Sequence, residues 1–592
     1  MKTSKHKTIN WMIKGLLVTA AIISLCACGT ERQGKADPDQ TETVTTSADE
    51  ETVSGASVTE DSSDEGSGIN KSPEINWDIN NSLSVNKPDD KYRTCYEVFV
   101  ASFYDSDGDG MGDLNGLREK LDYIADLGFD AIWMMPIMPS PSYHKYDIKG
   151  YMDIDKDYGT LQDFDALVQA AHDKGIRIYL DLVINHTSSE HPWFKKASDY
   201  IKTLKKNEEP DIHSCPYLDY YNFTRDDSLS GYAELDGARS QWYYEAQFYE
   251  GMPDLNLSSA ALRKEIIRIV DFWTDRGVDG FRLDTTTNFY TGSIKKNTEF
   301  LKWLSKIIYN AKKDAYIVGE AWTDLNTIAP MYKSGIDSFF DFSMGDKDGT
   351  IIKTVSGRTT DGASSYGKAL TGLDDEIHKY IKEYINAPFL SNHDTGRVAG
   401  FLSGEESTPL IKMAWTMSMF EGGTSFLYYG EEIGMKGSGK DENKRVGFPW
   451  SDDPDSPGMC KAPENADKVE MIHGSLESQA DDTGSIYNYI KQLIKIRNAY
   501  PSIARGKNIF HDEASDDKIC IIEKKYKNED ILIMYNISDS IQAIDMSSVK
   551  TSGTEYETGG VLSTDGRMPE YTDGSCILPP YSVMVLKQKT DK

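Results

Sequence analysis

Between residues 97 and 434, short apolar runs of strand character alternate with helical segments, and eight such runs can be counted. They are EVFVASF (97–103), FDAIWMMP (129–136), IRIYLDLVINH (176–186), GVDGFRLD (277–284), AYIVGEAW (315–322), DSFFDF (337–342), INAPFLSNHD (385–394) and TSFLYYGEEIG (424–434). Between them, LQDFDALVQAAHDKG (161–175) and LRKEIIRIVDFWTDRG (262–277) carry apolar residues at helical spacing. Eight alternations of this kind predict an α/β fold, a (β/α)8 barrel.

Two stretches do not fit the repeat. About 65 residues separate His186 from Pro253, far more than a strand-to-helix loop requires, so 187–253 is expected to be a small inserted domain over the barrel mouth. After Tyr500 the pattern changes to short alternating runs, KICIIEKKY, DILIMYNI, GVLS and YSVMVLKQK, which predict a C-terminal antiparallel β-sandwich over 501–592. The barrel itself is left with 89–186 and 254–500.

Residues 1–28 read as an address rather than as structure. Lys2, Lys5, Lys7 and Lys14 precede GLLVTAAIISL (15–25), an apolar run that suits a secretory signal and is short for a bilayer span. It ends in LCAC, which resembles a bacterial lipobox and implies that Cys28 becomes the lipidated first residue of an exported protein, held at the outer face of the cell membrane. From 29 to 88 the chain is rich in Ser, Thr, Asp, Glu and Gly, so a disordered tether is expected. The net charge of −31 argues against a nucleic-acid partner, because a phosphate-binding surface needs the opposite sign. Cys95, Cys215, Cys460, Cys520 and Cys576 are too scattered for a disulfide framework or a CxxC metal site.

In a parallel barrel, catalytic groups project from the carboxyl ends of the strands. Arg282 lies two positions before Asp284, so both face the same way, and the guanidinium would hold the acid ionised as a nucleophile requires. Alone, such a pair reads more readily as a buried structural ion pair than as a catalytic one. Its company is what matters: Asp181, Asn185 and His186 end the third run, Glu320 the fifth, and Asn392, His393 and Asp394 the seventh. The loop after the first run carries Asp105, Asp107, Asp109 and Asp113 with glycines between them, which lets oxygens converge on a hard cation. An EF-hand would need a Glu where Gly116 stands, so a different Ca2+ site is expected, with the Met111 carbonyl as a further ligand.

These motifs, in this order, resemble the conserved regions of the α-amylase family, glycoside hydrolase family thirteen. The likeness extends to YHKYD (143–147), MPDLN (252–256) and FLYYGEEIGM (426–435). It implies that Asp284 is the nucleophile, Glu320 the general acid/base and Asp394 a transition-state stabiliser. It further implies that His186, Arg282 and His393 bind substrate hydroxyls and the nucleophile, that Tyr146 is a stacking platform and that His144 is a nearby hydroxyl contact. Retaining glycosidases of this kind hold their two carboxyls about 5–5.5 Å apart. Thr287 and Asn288 depart from the Lys-His found in many family members, so the leaving-group side of the cleft is altered. The acidic loop is similar to the calcium loop of the oligo-1,6-glucosidase and neopullulanase members. The expected activity is hydrolysis of α-1,4 bonds in starch, maltooligosaccharides or related α-glucans, with pullulan cleavage or transglycosylation as side reactions. The alternatives are an exo-acting α-glucosidase or oligo-1,6-glucosidase and, from another class, a non-catalytic surface glycan-binding lipoprotein.

Overall fold

The computed structural model describes residues 72–86, 88–404, 407–551, 555–572 and 574–589. The signal segment with Cys28, and the tether as far as residue 71, lie outside them. From Ser72 onward the expected tether is folded instead. Trp77 Nε1 donates to the Thr483 carbonyl at 2.9 Å, and Asn80 exchanges two hydrogen bonds with the backbone of Val561. The apolar side chains of Ile75 and Trp77 are buried and supply the reason.

Seven parallel strands form one curled sheet: β1 (Thr94–Val98), β2 (Ala131–Met134), β3 (Arg177–Leu182), β4 (Gly280–Leu283), β5 (Tyr316–Gly319), β6 (Ser338–Phe339) and β7 (Ser425–Tyr428). They pair in chain order, and β7 returns to β1. The expected seventh run closes the ring without forming a regular strand. Its ladder is reduced to a bridge between Ala387 and Phe340, with Ile385 N–H donating to Asp337 on one side. On the other side Thr424 and Phe426 N–H groups donate to Asn386 and Pro388. Pro388 has no N–H to contribute, which is why pairing stays irregular here.

Side chains alternate along each strand, so the barrel lumen fills in layers. Cys95, Trp133, Tyr179, Tyr316, Val318, Phe340, Phe389 and Phe426 form one buried apolar cluster. Two residues further on, towards the carboxyl ends, come Glu97, Asp181 and Glu320. Arg282 pairs in register with Asp181 and Val318 and joins this layer. A polar floor therefore lies directly on an apolar plug.

The surrounding helices are cut where their caps are. Leu161–Asp173 begins with a reciprocal capping box between Thr160 and Asp163, and Ala260–Asp275 begins where the Ser259 hydroxyl accepts the Leu262 N–H. The second of these buries Leu262, Ile266, Ile269, Val270 and Trp273, one apolar face against the sheet.

The insertion after β3 holds the helix Pro192–Thr203 and a three-stranded sheet built from Phe223–Thr224, Tyr243–Glu245 and Tyr232–Glu234. A bridge from His186 to Asp254 ties its two ends together, and one from Tyr221 to Leu255 ties its middle to the chain that leaves it. From Lys507 a five-stranded and a three-stranded antiparallel sheet share a separate core that includes Ile521, Leu532, Ile544, Leu578 and Met584. The five cysteines after Cys28 are all free thiols. Among the described residues no helix is long and apolar enough to cross a membrane.

Candidate active site

Arg282 is fully buried at the end of β4 and organises the polar floor. Its Nη1 donates to Asp181 Oδ1 at 2.8 Å and to Asp284 Oδ1 at 2.6 Å, while Nη2 stands 2.9 Å from Glu320 Oε2. Three carboxyls from three adjacent strands thus meet at one guanidinium, whose planar fork suits such convergence. Asp284 and Glu320 therefore share one cavity.

Glu320 is fixed by the turn that follows β4. The Thr285 N–H donates to Glu320 Oε2 at 2.9 Å, and the Thr286 N–H donates to the Glu320 carbonyl at 2.8 Å. Thr285 adopts φ of 45°, a left-handed conformation uncommon for a β-branched residue, and so the backbone N–H is aimed by local strain. Burial pushes the Glu320 carboxyl up to about 7; Arg282 opposes this, and the neighbouring Asp284 and Asp394 charges add to it. At neutral pH this group can hold a proton to give away.

The third acid comes from the segment that closes the barrel. Asp394 Oδ2 lies 3.0 Å from His393 Nε2, and Asp394 Oδ1 accepts from Arg445 Nη2 at 2.9 Å. Burial would raise this carboxyl, but His393, Arg445 and Arg282 hold it well below the usual carboxylate range. Tyr146 stacks on the His393 ring at 5.2 Å, and its hydroxyl reaches both His393 Nε2 and Asp181 Oδ2.

Asp284, Glu320 and Asp394 line a cleft of about 430 Å³ together with His144, Tyr146 and His186. Burial lowers the pKa of both His144 and His186, although nearby carboxylates oppose it. His186 Nε2 is buried with no hydrogen-bond partner, so it is available to a hydroxyl. Thr287 and Asn288 stand on one wall. Phe248, from the inserted domain, and Trp322 are about half exposed at the rim. Arg282 and His393 are fully buried beneath the cleft: Arg282 holds Asp284, the nucleophile contact that the resemblance implies, and His393 meets Asp394 rather than the open cleft.

In the acidic loop, carboxylate oxygens of Asp105, Asp107 and Asp109 all fall within 4.8 Å of one another, close enough to bind a single cation. Asp113 stands outside this trio. Its oxygens accept from Ser106 N and Oγ at 2.8 Å and from Gly116 N at 2.9 Å, which caps the helix Leu114–Glu119. Met111 follows Asp109 in the same turn and donates its N–H to that side chain at 2.7 Å.

Sequence reasoning missed two residues of this site. Glu97 lies under His393, and its position as an acid inside an apolar run was a usable signal. Arg445 ends a short 3-10 helix after β7, Asp441–Arg445, and carries no such signal.

The family model for the α-amylase catalytic domain matches residues 97–506. The chain belongs to the α-amylase family. Among curated members, Alpha-amylase 3 of Dictyoglomus thermophilum is 36% identical over 503 residues, covering 85% of this chain and 94% of that protein. The oligo-1,6-glucosidase of Parageobacillus thermoglucosidasius is 27% identical, covering 76% and 90%. Among solved structures, Eubacterium rectale Amy13B superposes with a TM-score of 0.85 at 49% identity, covering 88% of this chain and all of that one. Membership makes the chain a glycosidase of this family, and the sheet order and the cleft at the strand ends are the family's (β/α)8 arrangement.

Proposed function

We propose that the protein is a retaining α-glucan hydrolase that cleaves α-1,4 bonds of starch and maltooligosaccharides. The observation that carries this is the meeting of Asp284 and Glu320 at one guanidinium inside one cleft, with the Glu320 proton held up to about 7. Glu320 gives its proton to the glycosidic oxygen as that bond breaks, and Asp284 Oδ attacks the anomeric carbon to form a glycosyl ester. The shortened glucan then leaves. Ionised Glu320 next takes a proton from water, the water oxygen attacks the same carbon, and Asp284 is released with net retention. Asp394 supplies negative charge to the oxocarbenium-like transition state, and Tyr146 and His186 position the ring. Alpha-amylase 3 supports starch-type substrates; the oligo-1,6-glucosidase keeps α-1,6 bonds as a reaction to be tested.

Asp105, Asp107 and Asp109 fit a Ca2+ ion, since three carboxylates brought this close repel one another until a cation neutralises them. Met111 through its carbonyl and Asp113, whose Oδ2 keeps one lone pair beyond its hydrogen bonds, would complete the shell. The ion would supply rigidity to the loop after β1. We also propose that Cys28 is lipidated and holds the enzyme to the outer face of the cell membrane, on the strength of the LCAC motif behind GLLVTAAIISL.

Product analysis on amylose, maltotriose, pullulan and isomaltose tests the reading. Release of short α-anomeric maltooligosaccharides from amylose is expected, and release of glucose alone from chain ends would replace it with the exo-acting α-glucosidase. Binding of starch with no new reducing ends would leave only the glycan-binding alternative. Labelled fatty acid should be incorporated by the wild type and not by Cys28→Ala.

A further inference from the structure

Glu97 is a lumen carboxylate that this chemistry does not use. Glu97 lies in β1, buried, with Trp133 and Tyr428 as its register neighbours on either side. Its Oε1 stands 2.6 Å from His393 Nδ1 and also accepts the His393 backbone N–H at 3.4 Å. On the far side of the same ring, Nε2 meets Asp394 Oδ2 at 3.0 Å and the Tyr146 hydroxyl at 2.6 Å. The imidazole edge packs on Trp133, with ring centroids 5.6 Å apart. Glu97, His393 and Asp394 thus form a row with a carboxylate at each ring nitrogen.

A neutral imidazole has one donor and one acceptor nitrogen, and either tautomer would set its acceptor against an anionic oxygen. Burial raises the Glu97 carboxyl while His393 and Arg282 lower it. With both carboxyls ionised, only the imidazolium satisfies both neighbours. We propose that Glu97 is a positioning residue that holds His393 doubly protonated, so that Nε2–H stays directed at Asp394 and fixes that carboxyl at the cleft wall. The proposal rests on the reading of Asp394 as one of the reacting trio. Burial alone would neutralise the ring, but Asp394 and Glu97 together push it to about 9. The other groups facing this row are Asp181, Tyr146 and Arg282 around His393, Arg445 at Asp394 and Tyr428 beside Glu97. Arg282 counts against a proton on His393, while the acids count for it.

The test is a nitrogen NMR titration of the histidine-labelled full chain, comparing wild type, Glu97→Gln and Glu97→Asp, with His393→Asn to assign the signal. Both His393 nitrogens should carry protons through about pH 8 in the wild type. In Glu97→Gln the ring should titrate at least about one pH unit lower, and Glu97→Asp, which keeps the charge, should recover part of the shift. Kinetics give a second reading. With Glu320 alone titrating, log kcat/KM falls with a one-proton slope above neutral pH. In Glu97→Gln that slope should approach two protons, with kcat/KM at pH 6 lowered about three- to tenfold. A His393 that is neutral in the wild type, or that titrates identically in wild type and Glu97→Gln, overturns the proposal. A loss of thermal stability with no change in titration or slope also overturns it, since it would make Glu97 merely structural. If Glu97→Gln does not fold, Glu97→Asp must show a shifted His393 titration for the proposal to stand. A wild-type protein with no glycosidase activity would remove the functional reading, and the titration alone would then decide the role of Glu97.

Discussion

Arg445 Nη2 donates to Asp394 Oδ1 at 2.9 Å, joining the short 3-10 helix after β7 to a carboxyl 51 positions earlier in the chain. The same guanidinium binds Asp441, and its Nη1 donates to the Tyr143 hydroxyl at 2.9 Å. Arg445 is buried, so it sets the orientation of Asp394 rather than merely screening it. Arg445→Met should lower kcat/KM on maltooligosaccharides about 100-fold, the scale on which one preorganised electrostatic contact acts. Because both carboxyl partners are a third or more exposed, the stability cost should stay near about 1–2 kcal/mol. Steady-state kinetics beside thermal unfolding measure both, and activity within twofold of wild type would remove Arg445 from the site.

Glu320→Gln keeps the shape of the side chain and removes the transferable proton. Turnover on starch should fall about 10²–10⁴-fold, the range supplied by general acid–base catalysis. A substrate whose leaving group departs as a stable anion needs no proton, so its first step should recover much of the loss. Burst kinetics separate the two steps, and equal losses on both substrates would contradict an acid role for Glu320.

The Glu320 pKa also fixes the direction of two pH dependences. Its proton is needed for bond breaking, so kcat/KM should decline as pH rises through about 7. In the folded protein this carboxyl binds its proton more tightly than at its ordinary value of 4.5, so its contribution to stability is complete at low pH and is lost as pH rises through about 7. The melting temperature of Glu320→Gln relative to wild type should therefore be higher at pH 8 than at pH 5. A difference that stays constant with pH would mean that Glu320 titrates normally.

The acidic loop separates two effects that a single substitution would mix. Chelation should lower the melting temperature of the wild type, and added Ca2+ should restore it. Asp109→Ala should abolish that response and leave the chelated protein unchanged. Asp113→Ala should destabilise even the chelated protein by about 1 kcal/mol, because it loses the cap on Leu114–Glu119. A wild-type melting temperature indifferent to chelator would argue against the ion.

Much of the site was legible because strands have a period of two. With IRIYLDL, GFRLD and AYIVGE as neighbouring strands, Asp181, Arg282, Asp284 and Glu320 face a common interior. Pairing partners across the chain were not legible. Nothing near Arg445 in the sequence announces that it folds back on Asp394, since a five-residue 3-10 turn is too short to show a periodicity. Glu97 was readable as an acid in an apolar strand, but its meaning depends on His393, 296 positions away. The end of the tether was misjudged because Ile75 and Trp77 are sparse among polar neighbours, and only their burial against distant parts of the chain marks them as folded.

The irregular stretch that completes the barrel between β6 and β7 lies just before Asn392–Asp394, so the least firmly stitched seam in the cylinder leads into one of the three acids. Opening there breaks few ladder bonds, and amide exchange should be faster across 385–391 than in β4 or β5. The consequence is a division of labour: the ladder itself holds Asp284 and Glu320 in place, while Asp394 owes its place to two side chains, His393 and Arg445.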